Sequence, residues 1–455
     1  MSRRTRTAFA LAALLSGAAA HADFQAALAQ YNAGHYDVAR AGFLSLAELG
    51  DCSSQFNLGA MALQGQGGPK DLAGAVGWLQ SADANGCRQL VGNRLPGLTA
   101  RLTADESRAA AAIVARYGPD ALRAEGVINP DFTCADRTPP AVVSAPTPEY
   151  PRQGALHHEA AIVITALTIG ADGYARDPEI LLSLPQDGFA AAAVEAWLNS
   201  RFMPAHRGGR PLEARQQAKT VFELAGATLA DAPAIKAART AADSGAPAAR
   251  YEVGLMATLD PSLSLSSARA GELLLGAARD GDVQAQYWVG SQLRATAACH
   301  PRADGAVWLR HAAAGGSAAA QLLLAGDLLA GTPSAEQIAQ ARALFARAAG
   351  SDSYYVRKHL VALLAASPLE AIRDPVGALA LAVKLAAGDI QSDPQMFEAV
   401  AAAYAANADF RKAVAQQDLA LTKAQSLGWN TRAMSDRQSA YRRDTPWRGE
   451  LFALP

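Results

Sequence analysis

Gln55-Phe56-Asn57-Leu58-Gly59, then Gly65-Gln66-Gly67-Gly68, Asp71, Ala75, Trp78, Ala82 and Gly86: this stretch decides the fold. Ala75, Trp78, Leu79 and Ala82 share one helical face by the i, i+3, i+4, i+7 rule. Glycines at 65, 67 and 68 let the chain reverse with positive φ, so the stretch reads as two helices around a turn. It is framed by Gly50 and Gly86, 36 residues apart. A similar interval returns between Gly245, Gly281, Gly316 and Gly350, each glycine following an Ala-rich helix end. Ala285-Gln286 and Ala320-Gln321 repeat within it. A fixed period near 35 residues means stacked helix pairs, because one pair cannot bury its apolar face alone.

Composition agrees. Of the 455 residues 50% are hydrophobic and 18% charged, which excludes a disordered or collagen-like chain. Lys plus Arg (41) nearly cancel Asp plus Glu (42), so no basic surface is available for nucleic acid. Alanine-rich sequence with few aromatics favours close-packed helices. Arg3, Arg4 and Arg6 precede an apolar run from Ala8 to Ala20, and Ala20-His21-Ala22 is an A-x-A site. Residues 1–22 therefore read as a cleaved signal peptide, and the mature chain as a soluble periplasmic protein. The run is shorter than the about 20 residues a membrane span needs.

Cys52, Cys87, Cys134 and Cys299 form no C-x-x-C pair, so zinc and redox motifs lack their spacing. In an oxidising compartment a disulfide is expected among Cys52, Cys87 and Cys134, with Cys299 a free buried thiol.

The Gln55–Gly86 pattern of L-G, a G-x-G turn, Asp, A-x-x-W and A-x-x-x-G resembles the Sel1-like repeat, a relative of the tetratricopeptide repeat. Tyr31, Gly34, Tyr36, Ala39 and Phe43 look like a preceding pair, and Tyr404, Asp409, Phe410 and Ala413 like a tetratricopeptide unit before a terminal cap.

A different pattern interrupts the repeats. Pro139, Pro140, Pro146, Pro148 and Pro151 mark a stiff linker. Ala160 to Ile169 is β-branched and nearly continuously apolar, the mark of a well-covered strand. Asp172-Gly173 supplies a hairpin turn into a second strand near Tyr174 to Leu184. Phe189, Ala192, Ala193, Ala196 and Trp197 then fit one helix face, with Asp187 as its cap. Ala214 to Leu224 alternates as a last strand, giving the order β-β-α-β.

This block resembles the C-terminal domain of TonB, the periplasmic energy transducer. The resemblance rests on Pro148-Glu149-Tyr150-Pro151, Asp172-Gly173, Phe189 with Ala192-Ala193, Arg201-Phe202, Pro204-Ala205, and Gly209 with Pro211. It implies that a strand edge pairs with an extended peptide of an outer-membrane transporter. Main-chain hydrogen bonds would give affinity and alternate side chains selectivity. The candidate edge carries Arg215, Gln217, Lys219, Val221 and Glu223.

The expected fold is mainly α: a solenoid of Sel1-like and tetratricopeptide helix pairs interrupted by a small α+β domain. Its segments are the signal peptide (1–22), repeats (23–135), linker (136–151), TonB-like domain (152–226) and repeats with a cap (232–455). His157-His158 read as solvated side chains rather than metal ligands, and Gly65 to Lys70 lacks P-loop spacing. No metal, cofactor or enzymatic activity is expected. The favoured function is a periplasmic interaction scaffold, whose TonB-like domain takes a partner strand and whose repeats bind another envelope protein. Alternatives are a divergent transducer with an uncleaved anchor, and a regulator that binds peptidoglycan or a hydrolase.

Overall fold

The computed structural model describes residues 24–452 apart from Asp187, Pro261, Ser262 and Ser264. The signal-peptide reading and the Asp187 cap lie outside the described residues. Two compact units divide the chain. One comprises the described residues up to Asp131 with Ala278–Gly316; the other, Phe132–Ala277 with the residues from Ser317 onward. No helix among the described residues is long and apolar enough to cross a membrane.

The first unit is helical. Helix Cys52–Gln64 packs antiparallel on Leu72–Ala82 across the expected turn. Gly65 (φ +72°) and Gly67 (φ +69°) take left-handed backbone there, whereas Gly68 does not. Phe43, Leu58 and Met61 form its core with Trp78, whose ring lies 4.5 Å from that of Tyr117. Burying a side chain such as Phe43 completely contributes about 2–3 kcal/mol. Cys52 and Cys87 are disulfide-bonded, Cα to Cα 5.6 Å, joining the first turn of one helix to the turn beyond the next. Closing that loop stabilises the unit by roughly 3–4 kcal/mol in chain-entropy terms. Cys299, expected to be a free buried thiol, is half-exposed and disulfide-bonded, as is Cys134.

The repeat is visible in equivalent contacts. A Cβ added at Gly59, Gly254 or Gly290 would stand 2.8 Å from Cγ of Leu79, Leu274 or Leu309, so only glycine lets paired helices approach this closely. After Gly50, Gly281 and Gly316 the next residue caps the following helix. Asp51 accepts from the Ser54 amide, Asp282 from Ala285 and Ser317 from Ala320. Gln55 and Gln286 each donate to a carbonyl eight residues back, Ala47 and Ala278, at the end of the preceding helix.

The second unit holds the sheet and helix pairs of its own. Its helical core gathers Leu322, Phe345, Tyr355, Leu360, Met396 and Val400. The sheet has three antiparallel strands: a first (Ala161–Ile169), a second (Ala175–Leu184) and a third (Ala214–Phe222), in the order second–first–third. Helix Ala190–Leu198 follows the second strand, so the expected β-β-α-β order is present. Gly173 (φ +78°) makes the hairpin turn. Part of the proline-rich stretch is paired as well as extended. Ala141–Ser144 is antiparallel to Arg201–Met203, and Arg137–Thr138 to Ala205–Arg207.

Candidate partner-binding site

The third strand runs alongside the first in unbroken register, from Ala161 opposite Phe222 to Ile169 opposite Ala214. Alternation divides its side chains between two faces. Ala214, Ala218, Thr220 and Phe222 are buried on the face of helix Ala190–Leu198. There Phe222 packs on Phe189 with ring centroids 5.0 Å apart, and Trp197 Nε1 donates to Thr220 Oγ1 at 2.8 Å.

Arg215, Gln217, Lys219, Val221 and Glu223 occupy the opposite face or its end, and four of them are half-buried. Arg215 is ion-paired with Glu179, has Asp177 Oδ2 at 3.6 Å, and sets its guanidinium 5.2 Å from the ring centre of Tyr355. Lys219 Nζ lies 3.2 Å from Asp260. Glu223 is exposed and accepts from the Leu229 amide at 2.6 Å. At Arg215, Lys219 and Glu223 the polar groups are thus already engaged inside the chain. The main chain of the third strand has one strand neighbour, the first, among the described residues.

Behind this face is a buried polar cluster that the sequence did not announce. Asp177 sits at an irregularity of the second strand, with φ +53° and Pro178 next to it. Proline has no amide to give the ladder, and a bulge re-aims the neighbouring side chain. Asp177 Oδ1 receives Lys358 Nζ at 2.9 Å and His359 Nε2 at 2.7 Å, both from helix Tyr354–Ala366. Lys358 is fully buried. Its two remaining protons go to Asp393 Oδ2 and Gln395 Oε1, each at 3.0 Å. Asp393 also caps helix Pro394–Ala406, and Gln395 Oε1 accepts the Asp177 amide at 3.1 Å.

Charge and burial compete here. Burial alone would push the Asp177 carboxyl up, but His359, Lys358 and Arg215 hold it well below the usual carboxylate range. Burial would pull the Lys358 ammonium down, yet Asp177 and Asp393 keep it above its ordinary value. Burial also raises the Tyr354 phenol, and Asp393, which accepts its hydroxyl at 2.9 Å, raises it further. Glu398 behaves differently. Burial raises its carboxyl although Arg437 Nη2, 2.7 Å away, opposes the shift.

The first unit has a polar arrangement of its own. Ser45 Oγ is 3.3 Å from His311 Nδ1, and His311 Nε2 is 3.6 Å from Glu48. The His311 hydrogen bond draws the Glu48 carboxyl below its ordinary range. The order of groups resembles a nucleophile, base and acid. However, Ser45 is interior to helix Tyr36–Glu48, where successive amides are spent on carbonyls four residues back. They cannot form the pair of donors an acyl-transfer oxyanion requires. The three side chains tie two helices together.

Residues 146–224 match the family described as Gram-negative bacterial TonB protein C-terminal, and this span contains all three strands. No curated protein matches the chain. Among solved structures the chain is similar to the crystal structure of a protective antigen present in uropathogenic Escherichia coli strains, described as displaying an SLR fold. The identity is 16% and the TM-score 0.34, over 93% of this chain and 84% of that one.

Proposed function

We propose that this protein is a non-enzymatic scaffold of the Gram-negative periplasm. In this reading the third strand captures an extended segment of an envelope partner, and the helix pairs hold other envelope proteins. The observation that carries it is the third strand's position: nine residues long, straight in register, and hydrogen-bonded to a strand on one side among the described residues. An open edge offers a row of amides and carbonyls to an incoming strand. With Arg215, Lys219 and Glu223 engaged internally, recognition falls mainly on the main chain and on the partner's own side chains. The match of 146–224 supports transporter segments of the TonB-box type as the partner class. The reading of residues 1–22 as a signal peptide supports export.

Titration calorimetry of the full chain with such peptides tests the reading. Micromolar binding is expected, and a peptide N-methylated at alternate residues should lose it, because the missing donors are those of the ladder. Equal binding of both peptides, or none from the folded chain across several peptides, would overturn strand capture. The partner would then have to be sought on the helix pairs, as for a peptidoglycan- or hydrolase-binding regulator.

A further inference from the structure

A groove of about 640 Å³ in the second unit has three walls drawn from distant parts of the chain. One wall is the stretch 146–151, stiffened by Pro146, Pro148 and Pro151. The Tyr150 ring pins it, standing edge-on to Phe189 and Phe222 with centroids 5.8 and 5.7 Å away. The second wall is helix Ala190–Leu198, which lines the groove with Ala191, Ala192 and Ala196. The third is formed by Asp389, Gln391 and Ser392 with Lys423. It is held to that helix by a cluster in which Ile390 and Leu421 join Val194 and Leu198. This third wall belongs to the helix pairs and lies outside the matched span 146–224.

The walls carry uncommitted polar groups. Ser392 is 8% exposed, and its hydroxyl has no hydrogen-bond partner among the described residues. Unlike the orphan polar atoms of the core, that hydroxyl is not sealed from water-sized molecules, so a ligand in the groove can reach it. The main chain of 147–150 also makes no hydrogen bond among the described residues. The charges on the groove are Glu149, Glu195 and Asp389 against Arg152 and Lys423. All five are exposed and none is ion-paired among the described residues. Length narrows the choice further. The helix wall runs about 12 Å over 191–199 and the stretch 146–151 up to about 17 Å, the reach of about four or five extended residues.

We propose that this groove binds a free linear peptide of about four or five residues. The peptide's main chain bonds the Ser392 hydroxyl. Its ammonium end is met by the acidic side chains of the rim and its carboxylate end by Arg152 or Lys423. A peptide with both ends free carries both signs, as the rim does, whereas a segment inside a folded partner lacks those ends. Walls already fixed by proline, Tyr150 and the Ile390 cluster lower the ordering cost of binding. The site is separate from strand capture, since no residue of the third strand lines it.

The test uses the full chain with penta-L-alanine as the probe. L-alanyl-L-alanine and the N-acetylated, C-amidated pentapeptide serve as controls. The free pentapeptide should bind one-to-one by calorimetry. The dipeptide, too short to span the groove, should bind at least about tenfold more weakly. Capping both ends removes two exposed ion pairs and should weaken binding about five- to thirtyfold. Ser392→Ala should weaken it about three- to tenfold. Glu195→Trp, which fills the groove from an exposed position on the helix wall, should abolish binding while leaving the far-UV spectrum unchanged. An end-capped TonB-box peptide should behave the same with Glu195→Trp as with the parent chain, which separates this groove from the third strand. No binding of the free pentapeptide at millimolar concentration would overturn the proposal. So would equal binding of either control, or full binding to Glu195→Trp.

Discussion

The two faces of the central sheet are buried by opposite means. Toward helix Ala190–Leu198 the contacts are apolar: Ala161, Val163, Phe189, Ala193 and Phe222 close on one another, with a single polar link from Trp197 to Thr220. On the other face Ile162 and Ile164 are buried too, but toward helix Tyr354–Ala366 the closure is ionic, through Asp177, Glu179, Arg215, Lys358, His359 and Asp393. The first strand is buried along its whole length between them. Polar residues alternating along a strand therefore need not mean a solvated face. They can mean a face whose partners lie elsewhere in the chain.

The contrast predicts a ranking of effects. Lys358→Ala takes from the buried Asp177 and Asp393 the cation they share and should destabilise the second unit by about 3–5 kcal/mol in chemical denaturation. Leu198→Ala, fully buried in the apolar cluster that joins helix Ala190–Leu198 to Ile390, Leu421 and Trp429, should cost about 2–4 kcal/mol. Equal tolerance of Lys358→Ala and a surface substitution would mean that the ionic face contributes nothing.

Acid should tell the faces apart. The folded carboxyl of Asp177 lies below its unfolded value of 3.8, so its stabilisation is complete above that pH and declines as pH falls below it. The Lys358→Ala penalty should accordingly hold from about pH 7 down to about pH 4 and shrink below that, while the Leu198→Ala penalty stays constant throughout. Glu398 has the opposite sign. Its raised carboxyl contributes stability below its unfolded value of 4.5, which is lost as pH rises through the folded value.

Smaller effects sharpen the picture. Trp197→Phe removes one hydrogen bond from the apolar face and should cost about 1 kcal/mol by thermal denaturation. Glu223→Gln, exposed and still able to accept from Leu229, should fall within about 0.5 kcal/mol of the parent.

Local patterns carried the fold into the sequence. The Gly-framed period and the Asp172-Gly173 turn act within a few residues, and each is legible where it stands. Ala141–Ser144 was not legible as a strand, because prolines bracket it and its pairing with Arg201–Met203 is remote. Nor was the ionic face. Asp177 meets His359 across 182 residues, and no spacing rule connects them. The traces it leaves are faint: Asp177-Pro178 inside a strand, and Lys358-His359 within the helix Tyr354–Ala366, which is apolar from Leu360 onward. The five edge positions were legible as a strand, but the direction of their side chains depended on those unseen partners.

Hydrogen exchange of the Ala214–Phe222 amides, in the full chain with and without a TonB-box peptide, tests strand capture most directly. In the free chain, alternate amides should be protected by the first strand while those between them exchange fast; peptide should protect the fast set. Uniform protection before any peptide is added, or a fast set that peptide leaves unchanged, would contradict the account.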